Sequence, residues 1–388
     1  MTLAIVAATL LAIPALVFAV ECLLGLRPLP PLQMPPCIDA PAFAVIVPAH
    51  DEADGIAATV AHIRAQLRSL DYLLVVADNC TDDTADQARL AGARVIERND
   101  LDNVGKGYAL AFGCDELAKC PRNVVIIIDA DCRIAVGGLQ RLALEAAVRR
   151  VAIQAAYLME SPPDTNALVA ISSFAFRVRN VVRQRGLARL GAAALLQGTG
   201  MAFPWSMVSA APLATDDIVE DLNLGIALLQ QGHRIGWSEA VIVSSQPANR
   251  EATMTQRTRW EHGSTSSAPG NILKLAREAL RQRRVDLAIL ALDLLVPPLA
   301  LLLVVTIVSC ALAGILALLG TGMWPVTILG MVLAALILTV LLAWVAEGQR
   351  LLTFNTLLKV PAYVLWKLPI YARLLAARQK TWVRTARK

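Results

Sequence analysis

Three long apolar stretches constrain this chain more than any other feature, because each is long enough to cross a lipid bilayer. They cover residues 3–26, 287–319 and 324–346, and about 20 apolar residues are enough for one transmembrane helix. The second stretch is longer than one span needs and has Asp293 and the pair Pro297-Pro298 near its beginning. We therefore predict a short interfacial segment followed by a hairpin of two spans, which turns between Gly320 and Gly322.

The first stretch could also be a secretory signal peptide. Such a signal has a basic segment before its apolar core and a cleavage site made of small residues. No Lys or Arg precedes Arg27, so a membrane anchor is the better interpretation. The composition agrees with this, because 56% of the residues are hydrophobic and only 17% are charged, which is too apolar for an ordinary soluble enzyme.

Basic residues beside the stretches predict how the chain crosses the membrane. Cytoplasmic flanks of spans collect Lys and Arg, and such residues lie at 27, 274–284 and 359–388, whereas the hairpin turn and the N-terminus carry none. This predicts an integral protein of a bacterial inner (plasma) membrane with its N-terminus outside. The net charge of +5 then mainly reflects topology, and we predict no nucleic-acid binding because the basic residues lie beside the spans rather than in a patch interleaved with exposed aromatic residues.

The chain divides into five segments. An N-terminal span (1–26) and a proline-rich linker (27–41) precede a cytoplasmic domain (42–285), and the interfacial segment with the hairpin (286–346) and a basic amphipathic tail (347–388) follow it. The tail has aromatic residues among lysines and arginines, which predicts attachment to the membrane interface rather than a fourth span. The seven cysteines are scattered and form no CxxC pair, so they indicate neither a disulfide framework nor a zinc site.

Short apolar runs alternate with amphipathic stretches in the middle region, which is typical of an α/β fold with a parallel sheet. We predict strands at 44–47, 73–77, 94–96 and 124–128, and helices at 54–69, 107–117 and 222–231. Ligands of such sheets bind beyond the carboxyl ends of the strands. The polar clusters that follow these strands are therefore the candidate binding residues.

Asp129 and Asp131 directly follow the most apolar strand. With one residue between them, both carboxylates lie on the same face of an extended chain. A solvated acidic turn is the alternative, but two close carboxylates at a ligand-binding edge repel each other unless a cation lies between them. Mg²⁺ or Mn²⁺ fits, because both prefer oxygen ligands shared with substrate phosphates.

Other clusters have both a binding and a purely structural interpretation. Asp78 follows a strand and could accept hydrogen bonds from a base or ribose, while Thr81 or Asp82 could cap the next helix. Lys106 lies between two glycines at the beginning of a helix; it is not part of a P-loop, but it could reach a phosphate. Asp221 is a candidate general base for a hydroxyl acceptor, although an acidic run at a helix N-terminus is also favourable by itself.

Residues 176–190 form a predicted amphipathic helix that contains five arginines: Arg177, Arg179, Arg183, Arg185 and Arg189. One interpretation is a solvated cationic face. The alternative is a surface that contacts anionic lipid or the phosphates of a lipid acceptor.

Together these residues resemble the inverting family 2 glycosyltransferases, in particular the membrane branch related to cellulose, chitin and hyaluronan synthases and to ceramide glucosyltransferase. The resemblance covers residues 45–263 as ordered motifs. The motif residues in this chain are Pro48, Ala49 and Glu52; Asp78; Asp129 and Asp131; Gly198, Gly200 and Met201; Glu220 and Asp221; and Gln256, Arg259 and Trp260.

The resemblance implies an α/β GT-A fold, a Rossmann-like nucleotide-diphospho-sugar transferase domain, flanked by transmembrane helices. It implies single-displacement chemistry with Asp221 as the base, Glu220 and Arg259 beside it, and Mg²⁺ or Mn²⁺ on Asp131. The expected nucleotide-sugar site consists of Pro48, Ala49, Glu52, Asp78, Lys106, Asp129 and Asp131. The expected acceptor site consists of Gly200, Met201, Gln256 and Trp260.

We therefore predict transfer of a sugar from a nucleotide-diphosphate donor, such as a UDP-sugar, to a lipid-linked or saccharide acceptor. The products would be exopolysaccharide, cell-surface polysaccharide or glycolipid, and other polysaccharide-assembly proteins are expected partners. A processive synthase is the alternative within the class. A non-catalytic membrane scaffold and a nucleotidyltransferase are the alternatives from other classes.

Overall fold

A computed structural model describes residues 2–33, 39–160, 166–217, 219–245 and 250–376, with the backbone alone at 250–262, 264, 370 and 372–376. Eight strands form one sheet in the order β3-β2-β1-β4-β7-β6-β8-β5. The strands are β1 (Phe43–Ala49), β2 (Tyr72–Asp78), β3 (Arg94–Arg98), β4 (Val124–Ile127), β5 (Cys132–Ile134), β6 (Ala152–Met159), β7 (Met201–Pro204) and β8 (Ile235–Ser245).

Helices cover both faces of this sheet and continue into the membrane segments. Those of the first half are α1 (Thr2–Gly25), α2 (Ala53–Arg64), α3 (Thr84–Leu90), α4 (Lys106–Leu117), α5 (Gly138–Arg149), α6 (Ala167–Arg177) and α7 (Arg183–Arg189), with a π-helical turn, Val178–Val182, between the last two. Those of the second half are α8 (Trp205–Val208), α9 (Glu220–Gln230), α10 (Arg250–Gln282), α11 (Val285–Asp293), α12 (Leu299–Leu316), α13 (Trp324–Ala343), α14 (Phe354–Leu357) and α15 (Val360–Ala376).

The central strands are buried on both faces, as their continuous apolar sequence predicts. All four residues of β4 are buried, and so are six of the seven in β1. Helix α4 packs on one face with Leu110 and Leu117, while α2 and α5 cover the other with Ile56 and Leu142. This two-sided burial fixes the strand ends, and therefore the polar residues that follow them, at one edge.

The four predicted strands form a parallel sheet, as expected, but four further strands extend it and not all of them are parallel. Strands β1 to β4 pair in parallel, but β7 runs antiparallel to both β4 and β6, and β5 runs antiparallel to β8. Strand β6 pairs with β8 in parallel. Strand β7 is therefore the antiparallel strand that joins the parallel half of the sheet to β6, β8 and β5, and the sheet is mixed.

Three described helices are long and apolar enough to cross a membrane, as the sequence predicted. They are Thr2–Gly25, Leu299–Thr321 and Trp324–Gly348. The link between the second and third turns at Gly320 and Gly322, both with φ near +90° (94° and 89°), a conformation that favours glycine. In the predicted interfacial tail, α14 and α15 are helical, while residues 377–388 lie outside the described part.

The arginine-rich segment does not present the cationic face that its sequence suggested. Arg183 is buried and ion-paired with Glu21 of α1 at 2.7 Å and with Asp293 of α11 at 2.5 Å. Arg185 is also buried, and it pairs with Glu239 at 2.5 Å and with Glu347 at 2.6 Å. These arginines connect the long apolar helices and α11 to the α/β domain, so the solvated cationic face predicted for this segment is wrong for Arg183 and Arg185.

Candidate active site

One cavity of about 890 Å³ lies at the carboxyl ends of β1, β2 and β4. It brings together every residue of the predicted nucleotide-sugar site and both predicted catalytic acids: Pro48, Ala49, Glu52, Asp78, Lys106, Asp129, Asp131, Glu220 and Asp221. The residues before Lys106 in this list lie at or just after the ends of β1 and β2, and Asp129 and Asp131 lie just after β4. Lys106 is the first residue of α4, and Glu220 and Asp221 lie in the first turn of α9. Residues far apart in sequence thus meet where a parallel α/β sheet binds its ligands.

Asp129 and Asp131 lie just past β4, with ligand atoms within 4.8 Å of each other and of the Cys132 thiol. Burial raises the pKa of Cys132 well above its ordinary value, so this sulfur stays protonated, and its Sγ lies 3.3 Å from Asp131 Oδ1 as a hydrogen-bond donor. Two carboxylates beside a neutral thiol offer hard oxygen ligands. That donor set fits Mg²⁺ or Mn²⁺ and does not suit a thiolate-bound metal.

Lys106 links the two halves of the cavity. It is the first residue of α4, and its Nζ donates hydrogen bonds to Asp129 Oδ1 and, at 2.8 Å, to the backbone oxygen of Gly198. Burial lowers its pKa, but the negative charges of Asp129, Glu220 and Asp221 outweigh burial and raise the pKa above its ordinary value. The ammonium is therefore charged throughout the physiological range and neutralises part of this acidic cavity.

Asp78 is held at the end of β2 by an ion pair that its sequence motif did not reveal. Its Oδ1 accepts a hydrogen bond from Arg98 at 2.7 Å, and the guanidinium of Arg98 lies 5.4 Å from the Tyr108 ring centroid. The predicted capping of the next helix by Thr81 or Asp82 is wrong, because the N-cap of α3 is Asp83. Asp82 lies one residue earlier, and its Oδ1 accepts from the backbone N–H of Thr84, the first residue of α3, at 3.0 Å. Asp78 and Asp82 therefore have distinct positions in one loop, and both line the cavity.

Glu220 and Asp221 occupy the first turn of α9 and are electrostatically coupled. Burial and the neighbouring charge of Asp221 raise the pKa of Glu220 to about 8, although Lys106 acts in the opposite direction. Burial also raises the pKa of Asp221, while Lys106 and a hydrogen bond from the Leu222 N–H lower it. An acid whose pKa is shifted towards neutrality suits proton transfer at physiological pH.

The predicted acceptor residues Gly200 and Met201 need a correction. Met201 begins β7, is 1% exposed and packs in the core beneath the cavity. Gly200 binds the sheet through its backbone, with its N–H donating to Ile127 at 2.9 Å, and neither residue lines the cavity. The residues of this segment that do line it are Gln197 and Gly198, because the segment enters the sheet directly after them.

A buried glutamine holds this segment in place. Gln154 of β6 accepts a hydrogen bond from the Gln197 N–H and donates one to the Thr199 backbone oxygen, both at 2.9 Å. The Thr199 hydroxyl in turn accepts from the Asp129 N–H at 3.1 Å. The segment is thereby attached to the carboxylate pair, a connection that Gln154, an isolated polar residue in an apolar strand, might have indicated from sequence.

Three of the predicted site residues lie where the structure describes the backbone alone. Gln256, Arg259 and Trp260 belong to α10, for which only the backbone is described at these positions. Sequence reasoning also missed Gln197 as a cavity residue, and for Arg179 it left open a solvated face or contact with a lipid or its phosphates, whereas the structure places Arg179 in the cavity. Arg179 lowers the pKa of Asp221 electrostatically, a relationship that only the fold creates.

A second cluster with metal-ligand atoms consists of Asp51, Cys80 and Asp82. Its carboxylates are already hydrogen-bonded to the chain: Asp51 Oδ1 accepts from the Thr81 N–H at 2.6 Å, and Asp82 Oδ2 accepts from the Ala53 N–H at 3.2 Å. These bonds join the loops after β1 and β2. We therefore regard this cluster as a structural feature of the cavity wall.

Known proteins share this architecture. The family pattern described as glycosyl transferase family group 2 matches residues 124–346, and that of glycosyl transferase family 2 matches residues 44–191. The mannosyltransferase PcManGT from Pyrobaculum calidifontis, solved with GDP-Man and Mn²⁺, is 17% identical and has a TM-score of 0.56 over 96% of this chain and 98% of its own. No curated protein sequence matches significantly.

A second solved structure is similar over a smaller part. Glucosyl-3-phosphoglycerate synthase from Mycobacterium tuberculosis, in complex with Mn²⁺, uridine diphosphate and phosphoglyceric acid, is 21% identical and has a TM-score of 0.39 over 56% of this chain and 78% of its own. The match to PcManGT covers nearly the whole chain and shows that its α/β domain has the GT-A fold, and the family group 2 pattern alone covers more than half of the chain. The chain therefore belongs to glycosyl transferase family group 2 and is a glycosyltransferase with a GT-A fold.

Proposed function

We propose that this glycosyltransferase moves a sugar from a nucleotide-diphosphate donor, such as a UDP-sugar, to an acceptor held at the membrane, with inversion at the anomeric carbon. One observation carries the proposal: a single cavity contains the carboxylate pair Asp129 and Asp131 and, across Lys106, the acid pair Glu220 and Asp221. The first pair suits a diphosphate with its metal, and the second suits a hydroxyl. The groups that suit the donor and those that suit the acceptor hydroxyl therefore line the same cavity.

The donor end is formed by the strand ends. Asp78, fixed by Arg98, is placed to accept hydrogen bonds from the base or ribose of the nucleotide. Asp129 and Asp131 would hold Mg²⁺ or Mn²⁺, which when bound supplies positive charge to the diphosphate. Lys106 keeps the Asp129 carboxylate oriented. Arg259, by its family resemblance, would add charge beside the departing diphosphate.

The acceptor end carries the proton transfer. Asp221 takes the proton of an acceptor hydroxyl, whose oxygen forms a bond to the anomeric carbon while the bond from that carbon to the diphosphate oxygen breaks. The nucleoside diphosphate leaves with the electron pair, and the configuration inverts because attack and departure occur on opposite faces. Glu220 sets the electrostatic environment of Asp221, since the two acids are coupled.

The location is part of the proposal. Basic residues flank the three apolar helices on one side of the predicted membrane, which supports an N-terminus outside and an active site in the cytoplasm. Arg183 and Arg185 hold the α/β domain against these helices. An acceptor anchored in the bilayer would then reach Asp221, as synthesis of a surface polysaccharide or glycolipid requires.

The test uses the purified full-length protein in lipid nanodiscs with labelled UDP- and GDP-sugars and Mn²⁺. We expect release of nucleoside diphosphate with at least one donor and, by mass spectrometry of the extracted lipids, a product heavier by one sugar or more. Asp221→Asn should abolish transfer while donor binding persists, whereas Asp86→Asn, at an exposed acid paired with Arg89, should have no effect. Transfer that survives Asp221→Asn contradicts the assignment of the base.

A further inference from the structure

The cavity continues past Asp221 towards the membrane helices. There its wall is made of apolar side chains from α6, α12, α13 and α15: Ile171, Phe174, Leu299, Leu303, Val340 and Val364. We call this part of the cavity the apolar arm. Two of its helices, α12 and α13, are among those long and apolar enough to cross a membrane, and a pocket lined in this way favours hydrocarbon.

Two buried amide oxygens belong to residues that line the cavity. Gln184 of α7 is 3% exposed, and both its Oε1 and that of Gln197 are buried without a hydrogen-bond partner among the described residues. A carbonyl oxygen can only accept hydrogen bonds, and a buried one left unpaired is unfavourable. A ligand that donates from hydroxyl groups would satisfy both.

The cations that line this region act on other groups. Arg183 is paired with Glu21 and Asp293, Arg179 acts electrostatically on Asp221, whose pKa it lowers, and the ammonium of Lys367, in the arm, lies 5.3 Å from the Tyr363 ring centroid. A phosphate head group would find oxygens that cannot donate to it and cations that other groups already hold. A phosphate acceptor would also need no base at neutral pH, whereas a hydroxyl needs one, and Asp221 lines the same cavity.

We infer that the apolar arm binds the hydrocarbon chain of an uncharged lipid whose head group carries the attacking hydroxyl. The head would lie between Gln197 and Gln184 with its hydroxyl at Asp221, and the chain would lie among α6, α12 and α15. The inference rests on the proposed function for the role of Asp221, and it narrows the acceptor to a hydroxyl lipid as opposed to a lipid phosphate.

The experiment is photolabelling of the full-length protein in nanodiscs. The probe is a diacylglycerol with a diazirine in one acyl chain, and the comparison probe is the phosphatidic acid with the same chains. We expect the diacylglycerol to label peptides of α6, α12 and α15, and Leu303→Trp, which fills the arm, to lower this labelling by roughly tenfold. The matched control is Leu312→Trp on the same helix, at a side chain 54% exposed, which should leave labelling unchanged.

Binding of uridine diphosphate with Mn²⁺ is measured in each variant to show that the fold is intact, and Val364→Trp on α15 serves as a second variant if Leu303→Trp does not fold. Labelling that is unchanged in the folded variants, or spread evenly over the lipid-facing helices, overturns the arm as a site. Stronger labelling by the phosphatidic acid overturns the hydroxyl head group. Absence of sugar transfer with every donor, beside intact arm labelling, would refute the proposed function and leave this site standing.

Discussion

Lys106 and Asp129 form an ion pair that connects the two ends of the cavity, because the same ammonium also bonds the backbone of Gly198 at 2.8 Å. The carboxylate that is expected to face the donor and the segment that is expected to face the acceptor therefore share one cation. Lys106 also lowers the pKa values of Glu220 and Asp221. This lysine is consequently central to both halves of the proposed reaction.

Replacing Lys106 should impair catalysis more than folding. Lys106→Gln keeps a polar side chain but loses the charge and the ion pair, so we expect kcat/KM to fall roughly ten- to a hundredfold, the range for a hydrogen bond to a charged group. The control is Lys119→Gln, since Lys119 is 73% exposed and pairs only locally with Glu116. Equal rates in both variants would show that the Lys106 ion pair is merely structural.

The acid pair predicts how the rate depends on pH. A carboxyl group can act as a base only in its deprotonated form, which prevails above its pKa. The pKa values of Glu220 and Asp221 are both raised, that of Glu220 to about 8. The rate should therefore rise with pH in two steps, first as Asp221 loses its proton and again near the pKa of Glu220, because a second negative charge makes Asp221 a stronger base. Glu220→Gln should leave a single rise, measured as kcat/KM from the acidic to the mildly alkaline range, which includes the pKa of Glu220. A second step that persists in this variant belongs to another group.

The sequence predicts that the residues proposed for the donor end meet in one cavity, because the positions of strand ends follow directly from the local sequence pattern. Asp78 and Asp129 each follow an apolar strand, and such strand ends meet at one edge of a sheet whatever the remaining topology. Lys106 at the beginning of α4 is likewise a local feature, marked by its flanking glycines. These placements needed no knowledge of long-range packing.

The acceptor end could not be predicted in the same way, because it depends on contacts between distant segments. Met201 is buried because β7 pairs antiparallel with β4, and no local sequence pattern predicts this pairing. Arg183 is buried because Glu21 and Asp293, which are 162 and 110 residues away, converge on it. An arginine on an amphipathic helix predicts exposure until such partners are known.

Gly198 should be essential for reasons of space as well as backbone conformation. Its φ is +83°, and a Cβ atom there would lie 3.2 Å from Lys106 Nζ and 3.5 Å from Asp221 Oδ2. Gly198→Ala therefore adds crowding between the lysine and the base to a conformational cost of roughly 1–2 kcal/mol. Gly191→Ala is the matched control, since its φ is +73° and nothing lies within 4 Å. We expect similar losses of thermal stability but loss of activity only in Gly198→Ala; similar activities would contradict the role of this space.

Metal dependence should follow the Asp129 and Asp131 pair. Chelation with EDTA should abolish transfer, and Mn²⁺ or Mg²⁺ should restore it. Asp131→Asn should raise the metal concentration needed for half-maximal activity, because an amide oxygen replaces a charged ligand. Asp82→Asn tests the second acidic cluster, where the carboxylate already binds the backbone of Ala53 and Thr84. This variant should lose stability without changing the metal requirement, and a changed requirement would assign a metal to that cluster.

The ion pairs of Arg183 should hold the membrane helices to the catalytic domain. Glu21 belongs to α1 and Asp293 ends α11, so Arg183→Met leaves two acids buried without their cation. Removing one partner of such a buried group costs roughly 3–5 kcal/mol. Arg183→Met should therefore lower the unfolding temperature in detergent markedly, while Arg89→Met, at an exposed pair with Glu97, should change it little.

A triple variant separates loss of packing from loss of charge balance. Arg183→Met combined with Glu21→Gln and Asp293→Asn removes the uncompensated charges but keeps side chains of similar size. Because the main cost of the single variant is the buried unpaired acids, the triple variant should recover most of the lost stability. If it is as unstable as Arg183→Met alone, the arginine acts through its packing on Phe18, whose ring centroid lies 5.8 Å from the guanidinium, and the electrostatic account of the junction fails.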